Sequence, residues 1–216
     1  MAVAAVAAVT DWVAVGSSRH RLEYAAKPSV LLALTAAAVT IPAHQIDLVD
    51  RRWWFVAALS CCLVGDVLLM FPRDLFVAGL AAFLAGHVLF IVGLLRPPSP
   101  PGSPPFNFST AGLVVAAGVV VAVEAVPGTV LIGSLVSHAR WSLIAPVCLY
   151  VVAIATMVVL ATNVGILPAA LGAGFFLLSD TLLALNRFVR PIPRGSLAVH
   201  ATYHLAQGLL VLSLLR

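Results

Sequence analysis

The chain is predicted to be an all-α integral membrane protein of eight transmembrane helices, arranged as two parallel four-helix repeats. Three observations predict this. Of its 216 residues 62% are hydrophobic and only 9% charged, more apolar matter than a soluble core of that size can hide. The apolar residues fall into runs of about 15–22, the length a helix needs to cross a bilayer. The third observation is a repetition: LVGDVLLMFPR (Leu63 to Arg73) returns as LLSDTLLALNR (Leu177 to Arg187).

Taken in order, the runs place spans at about 1–16, 28–43, 54–71, 75–95, 108–126, 142–162, 166–186 and 198–215. The first lacks a basic leader and contains Asp11, so it reads as a short span and not as a cleaved signal. Pro28 opens the second span and Pro146 lies near the start of the sixth. Between the fourth and fifth spans lies RPPSPPGSPPFN, from Arg96 to Asn107, whose prolines exclude helix. This Pro-rich loop, 97–107, is the expected seam of a single domain covering 1–216, with repeat halves of roughly 1–96 and 108–216. The stretch from Pro127 to Arg140 is too short to span and reads as interfacial or as an extension of the fifth helix.

The repeat continues beyond the aspartates. FLAGHVLFI (Phe83 to Ile91) aligns with YHLAQGLLV (Tyr203 to Val211), so the offsets through the chain are 114, 120 and 118 residues. A unit with an even number of spans returns to its starting side, which makes the halves parallel. Asp66 and Asp180 become equivalent positions. Each precedes an arginine by seven residues, about 10 Å along a helix, so the acids are expected at shallow depth below the interface.

Charge placement sets orientation and excludes one class of partner. The net charge of +4 comes from basic residues standing singly at run ends, a pattern for membrane loops and not for nucleic acid. Loops after odd-numbered spans carry Arg19, Arg21, Lys27, Arg73, Arg140, Arg187, Arg190 and Arg194, against Arg51, Arg52, Arg96 and Arg216 on the other side. Both termini are therefore expected outside, with the acids toward the cytoplasmic leaflet of a bacterial inner membrane.

Polar residues inside the spans are few: Asp66, His87, Tyr150, Asn163, Ser179, Asp180, Tyr203, His204 and Gln207. Single Ser, Asn, Tyr or Gln residues in membrane helices usually hydrogen-bond a neighbouring helix. Aspartate is different. At mid-helix it costs about 2.5–3.5 kcal/mol on insertion scales, so a matched pair of aspartates implies function. Asp11 and Glu124, near run ends, are expected to reach water, and Arg73 to snorkel. Lys27 and Arg187 flank the open side of the site, where a lipid phosphate would sit. His200 and His204 share a helix face and suggest metal, with His87 or an Asp as third ligand, but no HExxH or compact His/Cys cluster accompanies them. Neither metal nor cofactor is therefore expected.

The blocks GDVLLM, FLAGHVLFI, PVCLYVVAIATM, GAGFFLLSDTLLALNRF and YHLAQGLLVL closely resemble, in order, those of the YhhN family, which includes the lysoplasmalogenases and the transmembrane protein 86 group. The resemblance runs from Lys27 onward. It implies an eight-span hydrolase that cleaves the vinyl ether bond of a lysophospholipid, with membrane lipid as its surroundings. It carries over Asp66 and Asp180 as catalytic residues, with Lys27, His87, Tyr150, Tyr203 and Gln207 on motif positions; Ser179 and Arg187 complete the expected substrate-binding set. This chain departs in its short first span and in Phe90, where Tyr is common.

The chemistry suits the residues independently. A vinyl ether hydrolyses by proton transfer to its β-carbon, followed by water attack on the oxocarbenium ion. One carboxyl must carry a proton and the other a charge, a division that two acids sharing a low-dielectric pocket adopt. Two rival readings remain at this point. One is a proton-coupled transporter, since parallel repeats with buried acids suit a carrier; the other is a metal-dependent membrane lipid hydrolase.

Overall fold

The computed structural model describes residues 1–41, 46–71, 73–96 and 109–215, with the side chains of 46–50 left out. The predicted Pro-rich seam lies outside the described residues. Helices α1 (Ala2–Gly16), α2 (His20–Thr40), α3 (Ile46–Met70), α4 (Phe76–Leu94), α5 (Thr110–Ser137), α6 (Trp141–Asn163), α7 (Leu167–Phe188) and α8 (Gly195–Leu212) follow one another, and a 3₁₀ turn, Ser213–Leu215, ends the last. There is no strand among the described residues. Seven of the helices are long and apolar enough to cross a membrane. α1, with 15 residues, rises only about 22 Å.

Three boundaries differ from the sequence expectation. α2 begins at His20, eight residues before Pro28, which sits inside it. A mid-helix proline costs about 3 kcal/mol. Burial of Ala26, Lys27, Val30 and Leu31 on either side of Pro28 offsets that cost. α3 starts at Ile46, because the flanking polar turn continues the apolar helix. α5 runs through Pro127 to Ser137, so the segment left open between interfacial and helical readings is the end of the fifth helix.

The helices pair along the chain as α1 with α2, α2 with α3 and α3 with α4, then α5 with α6, α6 with α7 and α7 with α8. α4 packs on α6 and α2 on α8, which joins the two series into one bundle. Close approach of α3 and α4 rests on glycine at every seventh position of α4. A Cβ on Gly79 would lie 2.7 Å from Leu69, one on Gly86 2.8 Å from the Cys62 sulfur, and one on Gly93 2.8 Å from Phe55. Small residues of this kind let membrane helices gain packing where lipid offers no hydrophobic drive. Outside the bundle, Val3, Val6, Val114, Val115, Val121 and Val126 are exposed, an apolar belt suited to acyl chains. α5 is the outermost helix, burying only Val120, Leu131 and Leu135.

Candidate active site

Asp66 lies four residues from the end of α3 and Asp180 eight residues from the end of α7. Asp66 is 1% exposed. Lys27 of α2 places its ammonium 3.0 Å from Asp66 Oδ1, and the Tyr203 hydroxyl of α8 donates to Oδ2 at 2.9 Å. This carboxylate is paired and hydrogen-bonded, the condition under which a buried charge persists. Asp180 has a different setting. The Tyr150 hydroxyl of α6 donates to its Oδ2 at 2.6 Å, and His87 Nε2 of α4 stands 3.8 Å from the same oxygen. Among the described residues no lysine or arginine pairs with it.

The two acids are joined by an aromatic partition. His87 meets Tyr150 and Phe176 edge to face, at 5.0 and 4.6 Å between centroids; Phe176 in turn meets Tyr203 at 5.4 Å, and Phe83 meets Tyr203 at 5.9 Å. Two of these residues, Phe83 and His87, stand one turn apart on α4, as Tyr203 and Gln207 do on α8. Gln207 is fully buried, and neither of its amide atoms has a hydrogen-bond partner among the described residues.

A cavity of about 750 Å³, counting its open mouth, adjoins Asp180. Its walls are apolar residues of α3 to α7, among them Leu69, Leu80, Leu131, Ile154 and Leu177, and its polar groups are Glu124, Tyr150, Asp180 and Thr181. Both acids were expected to open onto one cavity. The lining of this cavity holds Asp180 and not Asp66, which is paired instead with Lys27 of α2 and accepts from Tyr203. At its interfacial end the cavity shares Phe76 and Phe188 with a polar groove lined by Asp74, Arg140, Ser142 and Arg187. Arg187 donates to Asp74 Oδ1 at 2.7 Å and lies 4.3 Å over the Phe76 ring, while the Arg140 guanidinium is 5.5 Å from the Phe188 ring.

The predicted site residues thus divide. Lys27, Asp66, His87, Tyr150, Asp180, Tyr203 and Gln207 converge on the two acids and the partition between them, and Arg187 stands at the mouth. Ser179 does not join them: it donates to the Val199 carbonyl at 3.0 Å, tying α7 to α8. One expectation of water contact is corrected. Asp11 is fully buried, 2.7 Å from His200 Nδ1, because α1 packs against α8. Glu124 is half-buried, lines the cavity and accepts from Thr181 at 2.9 Å. Asp11 was misjudged because a run end does not reveal which neighbour the helix leans on. The spacing of 113 residues between Asp11 and Glu124, close to the 114 between the aspartates, was a signal that the sequence did carry. Arg140, Phe83 and Phe176 were also missed. The histidines proposed as a metal trio are separated, His87 at Asp180 and the other two at Asp11. No group of three His, Cys, Asp or Glu side chains placed to hold a metal occurs among the described residues.

An all-helical bundle with a matched pair of buried carboxylates, one ion-paired and one facing an apolar cavity, defines a polytopic membrane protein with an intramembrane polar site. The YhhN family model matches residues 22–214, and the chain belongs to that family. It is similar to lysoplasmalogenase TMEM86B of Sus scrofa, at 35% identity over 72% of this chain and 61% of the relative, and to that of Homo sapiens, at 32% over 74% and 62%. It is also similar to a lysoplasmalogenase of Mycobacterium tuberculosis, at 35% over 78% of this chain and 60% of the relative. The matches therefore span about three fifths of the length of these curated relatives. No solved structure matches the chain.

Proposed function

We propose that this chain hydrolyses the vinyl ether bond of a lysoplasmalogen, releasing a fatty aldehyde and glycerophosphocholine or glycerophosphoethanolamine, within a bacterial inner membrane. Relatives that carry the name lysoplasmalogenase support the reaction. The observation that carries the mechanism is the unequal setting of the two acids. Asp66, beside an ammonium, serves as the carboxylate. Asp180, with a phenol and a histidine as neighbours and an apolar cavity before it, serves as the acid.

In this reading the alkenyl chain fills the cavity and the phosphate lies in the groove of Arg140 and Arg187. Arg187 follows Asp180 by seven residues, a rise of about 10 Å, which suits the reach from a phosphate to the first carbons of the chain. Asp180 protonates the β-carbon. Asp66, by its charge, stabilises the resulting oxocarbenium ion and takes up the attacking water's proton through the Tyr203 hydroxyl that donates to it, a division of labour like that of paired glycosidase carboxylates. The hemiacetal so formed expels the glycerol oxygen and leaves the aldehyde. We also read the bundle as a duplicated four-helix unit with halves 1–96 and 108–216, because the pairing α1–α2–α3–α4 is repeated by α5–α6–α7–α8 and α2–α8 mirrors α6–α4.

Isotopes test the reaction. Turnover in heavy water is expected to place one deuterium on the carbon next to the aldehyde, and turnover in oxygen-18 water to label the aldehyde oxygen and leave the glycerol oxygen unlabelled. The aldehyde is trapped at once to limit later exchange. Trapped aldehyde lacking deuterium, or label in the glycerol fragment, would rule out cleavage by carbon protonation.

A further inference from the structure

A second polar cluster lies beside the carboxylate end of the site, and the reaction above makes no use of it. Asp11 Oδ2 of α1 is 2.7 Å from His200 Nδ1 and 3.9 Å from His204 Nδ1. The other nitrogen of His200 stands 3.9 Å from Glu23 Oε1, and Glu23 Oε2 is 3.4 Å from His20 Nδ1. His20 is on the outside, with 78% of its side chain exposed, whereas Asp11 is fully buried. The groups thus form a chain from interface water to the bundle interior, with gaps that direct hydrogen bonds or one water each can bridge.

The inner end lies beside the site. Trp12 Nε1 donates to His204 Nδ1 at 3.1 Å, so neutral His204 carries its proton on Nε2, a buried atom with no partner among the described residues. Asp11 Oδ1 is another such atom. The His204 ring adjoins that of Tyr203 at 5.7 Å, and Tyr203 donates to Asp66. Buried polar atoms left unpaired are costly, and a structural role for Asp11 would not require them.

We propose that His20, Glu23, His200 and Asp11 form a proton path between interface water and the buried side of the site, with His204 and Tyr203 standing between Asp11 and Asp66. The proposal rests on the hydrolase reading, and proton balance supplies its reason. In each turnover Asp180 gives a proton to carbon and Asp66 takes one from water, while hemiacetal collapse moves a proton only between the two oxygens of the product. The enzyme is left with Asp66 protonated and Asp180 charged. Asp180 regains a proton from water entering at the cavity mouth, but Asp66 has no such opening and must lose its proton through the protein. α1, which supplies Asp11, precedes the family match at residues 22–214.

The test uses the full chain in liposomes, with a synthetic alkenyl lysophosphoethanolamine and rapid-quench detection of aldehyde, on D11N, H200Q and E23Q. Expected is a first turnover like wild type, a steady-state rate lowered at least about tenfold, since proton transfer steps contribute 10²–10⁴, and restoration by imidazole in the buffer. Wild type should not respond to imidazole. Glu23 lies near the start of α2, so E23Q keeps the test valid should D11N fail to fold. First turnover and steady state falling together, full activity in all three variants, or no response to imidazole would each overturn the path while the hydrolase reading stands. Absence of aldehyde from wild type would overturn both.

Discussion

Lys27 and Asp66 hold opposite charges 3.0 Å apart, both buried, and removing one partner of such a pair typically costs about 3–5 kcal/mol. K27M is expected to lose stability of that order in detergent melting, and K27M with D66N to regain most of it. Activity is expected to behave differently. D66N and D180N should each lose about 10²–10⁴ in kcat while still inserting, and the stable double variant should remain as inactive as D66N. At the mouth of the cavity, R140Q and R187Q should raise KM severalfold and leave kcat nearly unchanged, because a phosphate contact is the same in ground and transition states. That two acids stand at matched positions was legible in the sequence, in the repetition of LVGDVLLM as LLSDTLLA. Their unequal settings were not: Asp66 is paired with Lys27, a residue that the sequence placed at a span opening and the structure places about two turns into α2.

Helices were legible wherever apolar runs had polar ends, as in α4, α6 and α7. They were misjudged at proline, because Pro28 and Pro127 look like boundaries while the tertiary packing around them keeps the helix continuous. The α3–α4 contact offers a sharp test of what holds an element in place. On Gly86 a Cβ would sit 2.8 Å from the Cys62 sulfur and 3.3 Å from the Ala58 carbonyl oxygen, whereas Gly174 of α7 has nothing within 4 Å. G86A is expected to destabilise by about 1–3 kcal/mol through overpacking, and G174A to be neutral or slightly stabilising. Thermal melts of the two variants compare them directly. A lowered rate in G86A would follow, because α4 also carries Phe83 and His87.

For the whole molecule, α1 decides the topology. If its 15 residues cross, the chain spans the membrane an even number of times and both ends lie on one side, as the parallel-repeat reading needs. On the sequence count of eight basic residues against four, both ends are expected outside. Reporter fusions at the first and last residues are expected to agree, each signalling the non-cytoplasmic side; opposite signals would mean that α1 lies in the interface and that the halves differ in span number.

The partners of the two acids are also made at different times. Tyr150 and His87, which hold Asp180, precede it in the chain and are already in the bilayer when α7 emerges from the ribosome. Tyr203, which holds Asp66, arrives only with α8, after 136 further residues have been translated. Through that interval Asp66 has only Lys27, the neighbour from the preceding helix, to satisfy it. With that pair formed early, α2 and α3 can leave the translocon with the charge of Asp66 already balanced, and the half-built protein need not wait for its last helix to keep a carboxylate in the membrane.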